Sequence, residues 1–98
     1  MAYKIEFLPA AERDLYEATG WYSDISVELA ADFLSLFDNT LQSIKANPTQ
    51  FQKVHKDFRK LNLRRFPYKI IYRIEKSTIV IVGMVHHKRH PKLWRKRK

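Results

Sequence analysis

Near Pro48 the spacing of apolar residues changes, and that change limits what the chain can fold into. Upstream, Ala11, Leu15, Ala18 and Tyr22 recur at helical spacing. Val27, Ala30, Ala31, Leu34, Phe37, Leu41 and Ile44 then make a longer stripe of the same period. Downstream, residues 58–64 (FRKLNLR) alternate apolar with polar side chains, as a half-exposed strand does. Helical period first and strand period second predict a helical pair laid on a sheet. A chain of 98 residues, 45% of them apolar, has room for one such domain with a modest core.

Local signals place the boundaries. Residues 3–7 (YKIEF) alternate and read as a short strand. Pro9 suits the first turn of a helix, where a missing N–H costs nothing. Gly20 and the pair Ser23-Asp24 predict that this helix ends near Tyr22. Ser26 is a candidate N-cap for a second helix, with Glu28 near its positive end. Ala46-Asn47-Pro48 closes it, because the residue before proline avoids the helical region. So short a link predicts an antiparallel hairpin. Residues 50–57 read as a polar connector, and Pro67 as a turn. Residues 68–74 (YKIIYRI) and 78–86 read as two further strands around the loop Glu75-Lys76-Ser77. The run Ile79 to Val82 lacks alternation, which predicts a central strand covered on both faces. Leu93 and Trp94 suit a last helical turn. The expected order is β-α-α-β-β-β: an α+β domain, a small antiparallel sheet packed against an N-terminal helical hairpin.

Charge divides along the same line. Residues 1–49 carry three Lys/Arg against eight Asp/Glu, and residues 50–98 carry sixteen against two, so −5 and +14 sum to the net +9. Such polarity predicts a one-sided positive field that steers anionic partners: nucleic acid, an anionic membrane surface or an acidic protein segment. Absent cysteine excludes disulfides, thiolate metal sites and a thiol nucleophile. No window approaches the roughly 18 apolar residues of a membrane span, and a cytoplasmic protein is expected. The GxSxG, GxxxxGK[ST], HExxH and CxxC patterns are missing, and no cofactor is expected. Glu12, Asp14, Glu17, Asp24 and Glu28 are spaced like a solvated helix face.

Three constellations could carry chemistry. If the strands at 58–64 and 68–74 pair, Lys60, Arg64, Lys69 and Arg73 could line a cationic concavity; the alternative is a solvated sheet face. Like charges on adjacent strands repel, which an anionic partner would relieve. His86, His87 and His90 follow the last strand. They could move protons in a phosphodiester reaction, or simply cap or pack the strand end, and no metal site is expected. Tyr68, Tyr72 and Trp94 could stack on bases, or Trp94 could pin down the tail. Trp21 and Tyr22 at the hairpin tip read as core or partner-facing, and His55 has no evident role.

Residues 64–74 (RRFPYKIIYRI) and 79–97 (IVIVGMVHHKRHPKLWRKR) resemble the RelE/ParE superfamily of toxins from type II toxin–antitoxin systems. The likeness extends over nearly the whole chain. RelE-like members are endoribonucleases that cut mRNA, usually on the ribosome; ParE-like members poison DNA gyrase. The resemblance implies a cognate antitoxin partner. It implies mRNA cleavage first, and gyrase inhibition or a non-catalytic antitoxin- or nucleic-acid-binding module as alternatives. By position, Lys60 matches a strand lysine of the RelE pattern, Asn62 stands where a second would be, Lys69 stands where the family has arginine, and Arg89 matches a strand-end arginine. The family's tail tyrosine has no counterpart, so His87 or His90 would take its role. The catalytic set implied is Arg89, His87, His90, Lys69 and Lys60. Arg64, Arg65, Arg73, Lys88, Trp94 and Arg95 stand beside it as RNA-binding candidates.

Overall fold

The computed structural model describes residues 2–88 and 93–97. Strand β1 (Lys4–Phe7) leads into helix α1 (Pro9–Ile25), and helix α2 (Val27–Ala46) follows after one residue. Strands β2 (Lys53–His55), β3 (Phe58–Asn62), β4 (Tyr68–Glu75) and β5 (Thr78–His86) come next, and a 3-10 turn spans Leu93–Lys96.

Ser26 alone separates the helices. Its extended backbone (φ −165°, ψ 140°) cannot continue α1, and its N–H donates to Tyr22 O at 2.9 Å. Its Oγ accepts from Leu29 N at 2.9 Å, and its carbonyl accepts from Ala30 N. One residue thus closes α1 and caps α2. The helix continues past Tyr22 to Ile25 and takes the exposed Gly20 within it.

The five strands form one sheet in the order β1-β5-β4-β3-β2. Three pairings are antiparallel as expected, while β1 lies parallel to β5, so the sheet is mixed. The intervening chain carries β1 across to that edge. The connector at residues 50–57 also contains β2, a three-residue strand too short and polar to announce itself. Arg59 fixes its approach, donating to the carbonyls of Thr49 and Phe51 at 3.0 and 2.7 Å.

One sheet face meets the helical hairpin. Phe33, Phe37 and Ile44 pack there on Ile70, Tyr72, Ile79 and Ile81, and rings of Tyr22, Phe33, Phe66 and Tyr68 make tilted and edge contacts. Ile71, Val82, Val85 and Trp94 form a smaller apolar cluster apart from it, with Val54 and Phe58 alongside. The interior strand β5, between β1 and the central β4, is therefore buried on both faces, as its unbroken apolar run predicts. A bulge interrupts it: Ile71 pairs with Gly83 but Tyr72 with Ile81. The extra residue lets Val82 and Val85 share one face while Ile81 and Met84 share the other.

Candidate functional site

Register decides which polar groups meet. Lys60 lies opposite Ile71, Asn62 opposite Lys69, and Lys69 opposite Val85. Directly opposed residues share a face, so Lys60, Asn62 and Lys69 stand together on the face turned from the hairpin. His87 follows the end of β5, its N–H donating to Pro67 O at 2.9 Å.

These groups interact electrically. Burial, and then the neighbouring Lys60, hold the Lys69 ammonium below the ordinary lysine range. Desolvation first, then Lys69, His86 and Lys60, push His87 below the usual imidazole value. His87 is therefore biased toward its neutral, proton-accepting form, beside Lys69, whose charge the neighbouring Lys60 disfavours. An anion placed there would be stabilised by both ammonium groups.

The wider concavity expected from alternation does not form. Strand β3 ends at Asn62, so alternation does not carry to Arg64, which instead lines a cleft of about 360 Å³ with Asn39 of α2 and Gln50. Arg65 turns back at positive φ (68°) toward Asp32 of α2, 3.5 Å away. Arg73 shares its face with Glu75 two residues on, and its Nε donates to Oε2 at 2.5 Å, which neutralises its charge. Lys88 is exposed next to the site, and its N–H donates to His86 Nδ1. The His86 ring sits edge-on to Tyr68, on the hairpin side of the sheet. Arg89 and His90 lie outside the described residues.

The aromatic candidates are packing groups. Trp94 is 3% exposed and rests edge-on against Phe58, with ring centroids 5.2 Å apart, so it anchors the tail and offers no open face to a base. Tyr68 is buried. Tyr72 is fully buried on the hairpin side, where its hydroxyl donates to Pro48 O at 2.6 Å and burial raises its pKa to about 12. Arg95, beside Trp94, keeps its guanidinium 5.6 Å from the indole centroid.

Two residues carry roles that sequence reasoning missed. Beyond Leu8, β1 no longer covers the edge of β5, and the exposed backbone there needs partners. The Asp14 carboxylate accepts from Met84 N at 3.1 Å, and Arg97 donates to Val82 O at 3.1 Å. Arg97 also forks onto Asp14 through both terminal nitrogens, at 2.5 and 3.3 Å. Asp14 is thus part of a clamp that fastens tail, α1 and β5 together rather than a solvated charge. The bulge glycine, Gly83, gave the available signal, since a Cβ there would collide with the Arg97 guanidinium.

Among the described residues no group of three or more His, Asp or Glu side chains could hold a metal ion. No helix among them is long and apolar enough to cross a membrane.

Comparison with known proteins agrees with this architecture. A family described as the ParE toxin of the type II toxin–antitoxin system parDE matches residues 5–91. Toxin ParE2 of Mycobacterium tuberculosis is 28% identical over 92 residues, covering 93% of this chain and 88% of its own. Among solved structures, one of the chromosomal ParDE system of P. aeruginosa superposes with a TM-score of 0.75 at 17% identity, covering 87% of this chain and 96% of that one. A mutant of E. coli toxin RelE in the free state superposes with a TM-score of 0.58 at 17% identity, over 92% of this chain and 88% of its own. Matched from β1 to beyond β5, this chain belongs to the ParE toxin family of type II toxin–antitoxin systems, within the RelE/ParE superfamily.

Proposed function

We propose that this toxin acts by inhibiting DNA gyrase, in the manner of ParE-like members, and is held in check by a cognate antitoxin. The observation that carries the reading is the ParE family match across residues 5–91. The site supports it: the tail ring, Trp94, is buried, and an indole carries no proton for catalysis near neutral pH. Poisoning a large enzyme needs a complementary surface rather than a reactive constellation, and the +14 half supplies a strongly polarised one. The acidic antitoxin segment expected for such a system complements the same half.

Cleavage of mRNA is the second reading, favoured by the grouping of Lys60, Lys69 and His87. Metal-free cleavage needs a base for the 2′-hydroxyl proton, cations for the pentacovalent phosphate and an acid for the 5′-oxygen. A neutral His87 suits the first role and the two lysines the second. Arg89 and His90, next along the chain, complete the set proposed for this reading.

Purified toxin added to a gyrase supercoiling assay and to a ribosomal translation reaction separates the two. Blocked supercoiling with intact mRNA supports the first reading; cleaved mRNA supports the second. Under the second, Arg89→Ala in a folded chain should lower cleavage by about 10²–10³-fold, the usual loss of one stabilising donor.

A further inference from the structure

Outside the Lys60–Lys69–His87 group, one more cationic cluster stands on the same side of the molecule. His55 pairs with Phe58 in the β2–β3 register, and their rings stack with centroids 6.2 Å apart. Trp94 meets His55 edge-on at 6.2 Å. Arg95 lies over Trp94, and its Nε is buried without a hydrogen-bond partner among the described residues. Lys56 holds the β2–β3 corner at positive φ (49°).

We propose that His55, Lys56 and Arg95 form a second anion subsite, which takes a phosphodiester group of a nucleic-acid strand that also crosses Lys60 and Lys69. The Arg95 fork is oriented by the indole beneath it, an arrangement that suits phosphate oxygens. The half-buried rings of His55 and Phe58 give a neighbouring base something to rest against. Phe58 and Lys60 lie two residues apart on one face of β3, about 7 Å, so a strand leaving one subsite reaches the other without a detour. Desolvation, Arg95 and Lys56 all hold His55 below the ordinary imidazole value, and a bound anion would relieve that repulsion. The subsite recognises backbone rather than base, so DNA and RNA strands are both accepted. This goes beyond the gyrase reading and does not depend on it.

The test is anisotropy of labelled oligothymidylate and oligouridylate with the full chain, titrated across salt concentration. Each phosphate contact contributes about 0.7 to the slope of log affinity against log salt on a single strand. Arg95→Gln should reduce the slope by about 0.7 on both oligonucleotides. Lys56→Asn, which suits the left-handed corner and touches no core residue, should do the same. Arg13→Gln on α1, an equal change of charge, should leave it unchanged. Equal slopes for Arg95→Gln, Lys56→Asn and Arg13→Gln overturn the subsite. Competition by a Glu-rich peptide as strong as by unlabelled oligonucleotide overturns the phosphodiester assignment. A reduced slope on only one oligonucleotide overturns the claim that backbone alone is read.

Discussion

The behaviour of single residues here follows from which face of β3 and β4 they occupy. Lys60 and Lys69 were legible because alternation fixes faces inside a strand. Arg64 was not, because β3 stops two residues earlier, and Arg73 was not, because its partner Glu75 reads as a loop residue but is the last residue of β4. The coupling of Lys69 to His87 gives a direct prediction. By NMR, His87 should titrate below 6.5, and Lys69→Met should move it upward; an unmoved value would contradict the grouping. Tyr72 gives a second. Its phenol titrates near 12 when folded, against 10.0 ordinarily. Below pH 10 both folded and unfolded chains hold the proton; between pH 10 and 12 only the folded chain does, so stability is lost through that window. The loss attributable to Tyr72 approaches about 1.4 kcal/mol per pH unit, and denaturant melts should show it vanish in Tyr72→Phe.

At the scale of elements, periodicity gave the hairpin and the three long strands, and Ser26 marked the junction between helices. The short strand β2 stayed hidden because three residues cannot display a period. The parallel placement of β1 was equally invisible, since pairing across 74 positions (Lys4 with Thr78) depends on the whole fold. The Asp14–Arg97 clamp belongs to this scale too. Gly83 signals a close approach to β5, but it does not tell which of the four basic residues 95–98 makes it. Removing it should expose how the tail is held. Arg97→Met strands the Asp14 carboxylate and should cost about 1.5–3 kcal/mol of unfolding free energy, the usual range for hydrogen bonds to charged groups. Gly83→Ala should give much of the same loss, because its methyl group would occupy the guanidinium's place. In a double-mutant cycle, Asp14→Asn and Arg97→Met should be strongly non-additive. Additive losses would show that the two do not act as a unit.

For the molecule as a whole, the division of charge and the division of period coincide near residue 50, and the fold explains why. The acidic half becomes the edge strand β1 and the helical hairpin, and the basic half becomes the other four strands and the tail. The sheet surface turned away from the hairpin carries Lys60 and Lys69, with His87 electrically coupled to them, and the tail's Trp94 is packed beside it on Phe58. That arrangement attracts anions without committing the protein to catalysis, and the ParE family match supports the gyrase target we propose. Gyrase-catalysed supercoiling of relaxed plasmid, measured with rising concentrations of the purified chain and with mRNA integrity followed in a parallel translation reaction, tests this most directly. Supercoiling should be blocked in proportion to toxin while the mRNA stays intact; undiminished supercoiling together with cleaved mRNA would contradict gyrase inhibition.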